Sequence, residues 1–246
     1  MSSANRFMDY FLSDLHLFSL RSEAQKHELE IRARVADART FVLGGDIFDF
    51  AWTIYPDIDS TINAAMDWLE ALMEINPECE FHYLLGNHDC HPEFVEQLSE
   101  LAQRSPNLQW DPYFLRIGSA VMLHGDVVHL RRTTNYHLAQ ARSNKAANET
   151  KRSAMRNHAY RMVVRARVHA LVGKVANPKW FIARQIMQYL RNEGHPEESG
   201  LENVYFGHTH VPLADYDFSG VRFHNGGASI SGLNFRIVEM ELDPPG

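Results

Sequence analysis

Phe41-Val42-Leu43-Gly44-Gly45-Asp46-Ile47-Phe48-Asp49 is the stretch whose reading decides the fold. Its apolar opening reads as a short strand, and the two glycines that close it mark a turn. Asp46 and Asp49 then follow at once, so carboxylates stand at the carboxyl end of a strand. The same grammar recurs in both directions along the chain. Residues 7–12 run into Ser13-Asp14-Leu15-His16, and 81–85 into Gly86-Asn87-His88-Asp89. Residues 120–123 run into His124-Gly125-Asp126, and 203–206 into Gly207-His208-Thr209-His210. In an open α/β sheet ligands bind outside the carboxyl ends of the strands, so groups distant in sequence can converge there. Glycine allows the sharp turns and the close backbone approach that such a site needs.

Between these strands, 22–38 and 60–75 show helical spacing, the second with Ile62, Met66, Leu69 and Leu72 on one face. A third helix starts at Pro92, favoured in a first turn, and carries Phe94, Val95, Leu98 and Leu101. Alternating strands and helices define the α/β class. After Leu130 the pattern becomes helical only. Met155, Ala159, Met162, Val163 and Ala166 share a face, while Arg152, Arg156, Arg161 and Arg165 occupy others. Asn177-Pro178 reads as N-cap and first residue of a helix through Ala183, Ile186, Met187 and Leu190. A Gly/Pro/Glu linker over 192–200 precedes strands at 203–206, 221–224 and 235–242. The expected organisation is an α/β core of residues 1–130 and 195–246, with 131–194 inserted as a basic helical cap.

The 246 residues are 45% hydrophobic and 22% charged, which excludes wholesale disorder and fibrous repetition. No apolar run reaches the roughly 18 residues of a membrane span. Asp9, Ser13 and Asp14 interrupt any signal-like stretch, so the expectation is cytoplasmic. Cys79 and Cys90 read as free thiols. Net charge is −7, yet 131–191 holds fourteen Lys and Arg against the single acid Glu149. This segment is either a solvated helical face or a grip for anions: a polyphosphate, nucleic-acid phosphates, or the inner membrane surface through peripheral contact.

The clustered groups are carboxylates, imidazoles and an amide, with no thiolate. That donor set suits manganese, zinc, iron or cobalt rather than a Cys-rich structural site. Seven protein ligands exceed one four-coordinate ion. Shared between two ions with a bridging carboxylate, they leave open positions of the kind catalysis requires.

The ordered blocks Asp14-x-His16, Gly45-Asp46-x-x-Asp49, Gly86-Asn87-His88-Asp89, the isolated His124 and Gly207-His208-x-His210 resemble the signature of the calcineurin-like metallophosphoesterases. The resemblance spans most of the chain outside the insertion. It implies a four-layer α/β/β/α sandwich and two divalent metal ions, manganese favoured with zinc or iron as alternatives. It places Asp14, His16 and His210 on one ion and Asn87, His124 and His208 on the other, with Asp46 bridging. It makes His88 the acid or transition-state donor and Asp49 its orienting partner. The reaction it implies is attack of a metal-bridging hydroxide on a phosphoester or pyrophosphate bond.

Within that family, Gly45-Asp46-Ile47-Phe48-Asp49-Phe50-Ala51-Trp52, Leu123-His124-Gly125-Asp126 and Gly207-His208-Thr209-His210-Val211-Pro212 are similar to UDP-2,3-diacylglucosamine pyrophosphatases. Those enzymes carry a helical cap at the same point, and the resemblance implies a lipid-linked substrate. They commonly have Arg where this chain has His88, and an acidic-then-Tyr pattern where it has Thr133-Thr134-Asn135-Tyr136. His at 88 matches general phosphatases and phosphodiesterases acting on phosphorylated small molecules. A nuclease, or a non-catalytic interaction module on the same fold, are the other readings. Outside the motifs, His27, His82, His137, His158, His169 and His195 read as ordinary core or surface residues. His91, His129 and His224 are candidates to line the site. Asp126 is expected to cap or turn the chain after His124, Asp89 to support its loop, and Cys90 to be buried.

Overall fold

In the computed structural model, residues 8–147 and 178–242 are described. The helix expected around Met155–Ala166, together with Phe7, Glu149, His158, His169 and Asn177, lies outside them.

Side-chain alternation along the strands explains the layers. In β1 (Met8–Leu12), Tyr10 and Leu12 face one core and Phe11 another. In β2 (Ala38–Leu43), Phe41 and Leu43 share the first core while Val42 joins Phe11. A period of two sends successive residues to opposite faces, and both faces here are apolar, as in a sheet covered on both sides. β3 (Glu80–Leu84) and β4 (Leu108–Asp111) continue this sheet in parallel. β10 (Val238–Met240) closes its other edge antiparallel to β1.

The second sheet has the order β5 (Phe114–Ile117), β6 (Ala120–Leu123), β7 (Asn203–Phe206), β9 (Val221–Asn225), β8 (Leu213–Phe218). Ala120, Met122 and Tyr205 turn inward to meet Phe11, Val42, Leu84, Val238 and Met240 of the first sheet. Val121, Leu123, Val204 and Phe206 turn outward.

Helices cover the two outer faces. On the first sheet lie α1 (Glu28–Ala36), α2 (Ile58–Met73) and α3 (Pro92–Arg104). Asp57 caps α2 by accepting from Ser60 N at 2.7 Å, satisfying one of the donors a helix start leaves free. Outside the second sheet lies α5 (Lys179–Asn192), burying Ile182, Ile186, Met187 and Leu190 against Val204, Phe206 and Phe223. α4 (Asn135–Ala147) adds Leu138 to that core. The architecture is thus α/β/β/α, as the motifs implied.

Several boundaries differ from the sequence reading. The helix expected over 22–38 begins only at Glu28, after a 3-10 turn at Ala24–His27, because Ser22 is bridged to Ile230 and its hydroxyl donates to Leu15 O. Its other end is cut short because Ala38 already belongs to β2. Pro178 is the N-cap of α5, with extended backbone, and Lys179 opens the helix. The last strand is confined to Val238–Met240. Among the described residues no helix is long and apolar enough to cross a membrane.

Candidate metal centre

The loops after β1, β2, β3, β6 and β7 meet at one end of the sandwich, and hydrogen bonds between them fix their relative positions. Asp14 N donates to Gly45 O and His16 N to Asp46 O, both at 3.0 Å, so the first two loops run side by side. His88 N donates to Asp46 Oδ1 at 2.7 Å, which ties in the third loop. His208 N donates to Asp14 Oδ2 at 2.9 Å, and Gly207 N to His124 O at 2.8 Å, which join the second sheet to the first. The glycines are needed for this closeness. A Cβ at Gly86 would overlap Asp46 Oδ1, and one at Gly207 would overlap Asp14 Oδ2.

Five of the candidate ligands sit on left-handed backbone: Asp14 (φ 55°), His16 (47°), Asp46 (53°), His208 (63°) and His210 (55°). For a residue with a Cβ this conformation costs about 1–2 kcal/mol. Such strain persists where the surroundings over-determine it, and it concentrates at functional sites.

Two groups of donors result. In one, His210 Nε2 lies 3.3 Å from Asp14 Oδ1 and 3.4 Å from His16 Nε2. In the other, His124 Nε2 lies 3.3 Å from Asp46 Oδ2, and the His124 and His208 rings are 5.1 Å apart, edge to face. Asp46 Oδ2 is also 3.9 Å from His16 Nε2, so one carboxylate oxygen reaches both groups. Within each group, Asp14/His16/His210 and Asp46/His124/His208, the ligand atoms all lie within 4.8 Å of one another.

These residues fit a pair of cations. Asn87 Oδ1 and His208 Nε2 are buried without a hydrogen-bond partner, and His124 Nε2 meets the Asp46 carboxylate 3.3 Å away. Buried polar atoms are rarely left so, because each forfeits its interaction with water. His124 Nδ1 donates to Gly44 O at 3.0 Å, which leaves the Nε2 lone pair directed away for coordination. Burial, added to by the nearby Arg21 charge, lowers His16 to about 3. Burial and then the neighbouring His124 lower His208 to about 3 as well. Both rings are therefore neutral near pH 7. Burial opposes ionisation of Asp14, but the His210 hydrogen bond and charge outweigh it and hold the carboxyl below its usual range. Asp46 is likewise held well below that range against burial, chiefly by His124 and His88. For His124 burial is again outweighed: the Asp46 and Asp14 carboxylates raise it to about 10 in the cation-free protein.

A third group, His16/Asp49/His88, is already committed. Arg21, which the sequence reading did not single out, donates through Nη2 to Asp49 Oδ2 at 2.7 Å and lies 3.1 Å from His16 Nδ1. Asp49 Oδ1 accepts from Trp52 N at 3.2 Å and faces His88 Nδ1 at the same distance. Burial favours protonation of Asp49, yet His88 and Arg21 keep it well below the ordinary carboxylate range.

Asn225, also unremarked in sequence, donates to Gly207 O at 2.9 Å and accepts from Gly227 N at 2.7 Å, bracing the His208 loop. Its signal was present: Asn225-Gly226-Gly227 repeats the strand-then-glycine grammar at the end of β9. Asp89 supports its loop as expected, accepting from Gly86 N, Ile47 N and Tyr83 Oη. Asp126 does more than turn the chain, since both its oxygens receive the buried Arg142 guanidinium at 2.7–2.8 Å and anchor α4.

The three intermediate histidines separate. The His129 ring stands 5.0 Å from that of His208. His224 stacks on Tyr205 and bonds Asn203 inside the second sheet, so it does not line the centre. His91 heads α3 and lines a neighbouring apolar cavity. Cys79 and Cys90 are free thiols, and Cys90 is half-buried rather than buried.

A family model for calcineurin-like phosphoesterases matches residues 10–212. No match was found among curated proteins. A dimetal phosphatase from Danio rerio aligns in structure with a TM-score of 0.47 and 14% identity, over 91% of this chain and 88% of that one. With the family model spanning all five motif loops, the chain belongs to the calcineurin-like phosphoesterases and is a binuclear metal-dependent enzyme of that family.

Proposed function

We propose that Asp14, His16 and His210 hold one divalent cation and Asn87, His124 and His208 a second, with Asp46 shared, and that His88 acts on the phosphoryl group under the orientation of Asp49. The observation that carries this reading is the place of Asp46 Oδ2, 3.9 Å from His16 Nε2 and 3.3 Å from His124 Nε2, between the two donor groups. When bound, two such cations would lower the pKa of coordinated water toward about 7 and neutralise phosphoryl oxygens. The donor set suits manganese, with zinc and iron as alternatives.

The chain supplies the rest. A carboxylate only accepts, so the 3.2 Å contact with Asp49 puts an N–H on His88 Nδ1, and the donor role then requires a second N–H on Nε2, the nitrogen left to meet the substrate. His88 is partly exposed whereas Asp49 is fully buried, as suits a group that touches substrate and one that only orients it. Arg21 neutralises Asp49 from behind, and Asp49 Oδ2 in turn lies 3.6 Å from His16 Nδ1. The substrate class is a phosphorylated small molecule, and residues 131–194 are read as the insertion that faces it; of their described part, α5 packs on the second sheet.

His88→Ala is expected to lower turnover about 10²–10⁴-fold while metal content, read by elemental analysis, stays at the wild-type level. Asp46→Asn is expected to lose metal. Survival of turnover in His88→Ala would sink the role assigned to it.

A second reading, a UDP-2,3-diacylglucosamine-like substrate met at a membrane surface, is favoured by one further feature. A cavity of about 560 Å³ lined by Leu85, Pro92, Val95, Pro112, Tyr113 and Ala139 opens beside Cys90, three residues past Asn87. It has the apolar character that acyl chains require. Supplying manganese and comparing p-nitrophenyl phosphate, its bis-ester, a UDP-linked lipid and single-stranded DNA separates the readings, since hydrolysis of the UDP-linked lipid alone would favour the second.

A further inference from the structure

α4 is fastened to the core by few groups, and one of them reaches toward the metal centre. Of its thirteen residues, Leu138 and Arg142 are the buried ones. Leu138 packs in the core outside the second sheet. Arg142 stands in the wall of the cavity of about 560 Å³, to which Ala139 and Ala146 of α4 and Pro92 and Val95 of α3 also contribute. Atoms that face a void have no packing partner on that side. On this side of α4 the polar contacts of Arg142 therefore carry the attachment.

Those contacts join two loops. The guanidinium donates from Nε to Asp126 Oδ2 at 2.8 Å, from Nη2 to Asp126 Oδ1 at 2.7 Å, and from Nη1 to Pro112 O. The first two form the planar, two-pronged match that gives an arginine–carboxylate pair its directional hold. Asp126 is separated from His124 by Gly125 alone, which sits on left-handed backbone at φ 108°. The carbonyl oxygen of Arg142 lies 3.9 Å from Cys90 Sγ, and that sulfur lies 3.8 Å from Asn87 O. One arginine thus links the loop of His124 to the loop of Asn87, and both of those residues are donors assigned above to the second cation. The side chains of Arg142 and Asp126 are each less than a tenth exposed, so the junction is a buried ion pair.

The first donor group is held by core groups instead. Asp14 N donates to Gly45 O, Ser229 N to Asp14 O, and His16 N to Asp46 O, while Ser13 Oγ donates to Asp14 Oδ2 at 2.6 Å. None of these partners belongs to residues 131–194.

We propose that Arg142 is a positioning residue for the second cation: it sets the spacing of His124 and Asn87, so that occupancy of the second site depends on the insertion while the first depends on the core alone. This rests on the two-cation reading above and makes the two sites unequal.

The test is manganese titration of chelator-stripped protein, followed by calorimetry and by electron paramagnetic resonance, in wild type, Arg142→Met/Asp126→Asn and Arg142→Lys. The double substitution removes both charges together, so neither is left buried and uncompensated. Lysine keeps a point charge but not the two-pronged match. Wild type is expected to take up two ions and to show the spectrum of a spin-coupled pair. In the double variant the first ion is expected to bind as in wild type and the second about 10–100-fold more weakly, the usual cost of losing a group that orients a metal ligand. The coupled spectrum should then appear only at correspondingly higher manganese, with Arg142→Lys in between. In a His124→Ala background, which retains the first donor group, the double substitution is expected to leave the remaining ion's affinity unchanged. Equal weakening of both ions, an unchanged second ion, or a weakened remaining ion in the His124→Ala background overturns the proposal. If the second ion alone weakens while wild type hydrolyses neither p-nitrophenyl phosphate nor its bis-ester, the proposal stands and the catalytic roles given above fall. If wild type takes up a single ion, both fall.

Discussion

Replacing Arg21 with Met tests how the centre is held together, because it removes a charge and little volume. Asp49 is fully buried, and its Oδ2 receives Arg21 Nη2 at 2.7 Å. Among the described residues, the other ionisable groups within 4 Å of that carboxylate are His88, 3.2 Å from Oδ1, and His16, which burial lowers to about 3 and so leaves neutral. Taking away one member of a buried ion pair leaves the other uncompensated and costs about 3–5 kcal/mol. At about 2–4 °C per kcal/mol for a chain of this size, the melting temperature should fall by about 6–20 °C. The assay is urea unfolding with chelator present, so that lost metal binding does not enter, with the midpoint and slope both fitted. Arg21→Met/Asp49→Asn supplies the internal control. With the carboxylate neutralised, the double variant should be more stable than the sum of the single losses predicts, by about 0.5–3 kcal/mol. A cost for Arg21→Met below about 1 kcal/mol, within the range of an exposed pair, or strictly additive losses, would refute the view that Arg21 stabilises the centre by neutralising Asp49.

Two further outcomes follow from the charges. His124, raised to about 10 in the cation-free protein, carries a proton at pH 8 that metal must displace, whereas His16 and His208, lowered to about 3, carry none. Metal titration in two buffers of different ionisation enthalpy should therefore show close to one proton from His124 in addition to the one that metal-coordinated water releases at this pH, and a total of one or fewer would contradict the His124–Asp46 coupling. Burial would raise Asp126, but Arg142 overrides it and lowers the carboxyl from 3.8 to about 2. A depressed folded-state pKa gives stability that is present above the unfolded value and lost as pH falls through the folded one. The wild type should accordingly lose about 2 kcal/mol of stability between pH 4 and 2 that Asp126→Asn does not lose. Parallel stability profiles for the two proteins over that window would count against the pair.

How much of this was legible in the chain depended on where each residue sits relative to a strand end. β1, β2, β3, β6, β7 and β9 were readable because their residues are buried nearly throughout, giving continuous apolar runs closed by glycine or polar clusters. β4, β5 and β8 were not. Each lies at or next to a sheet edge, and their side chains are mostly half-buried or exposed, as with Gln109 in β4 and Asp215 and Asp217 in β8. An edge strand pairs through its backbone and needs little apolar surface, so its composition resembles a loop. Arg21 was missed for a related reason. It lies five residues past His16, in a Ser-Leu-Arg-Ser stretch with no periodicity, and its importance comes from a contact with Asp49, twenty-eight residues away.

The left-handed backbone at Asp14, His16, Asp46, His208 and His210 had no sequence signature, and it bears on how the centre works. If only bound metal held these residues in place, relief of strain would let the loops relax whenever the ions leave. The hydrogen bonds run otherwise. Asp14 is fixed through Gly45 O and Ser229 N, His16 through Asp46 O, and Asp46 through His88 N, all by protein groups alone. Gly86 and Gly207 lie against the two carboxylates, where a Cβ would collide with them. The strain is therefore carried by the fold, which holds the donors near their places before any ion arrives, so little ordering is left to oppose metal binding. That preorganisation explains why His208 Nε2 and Asn87 Oδ1 are buried without hydrogen-bond partners: packing that rigid does not let them turn toward one.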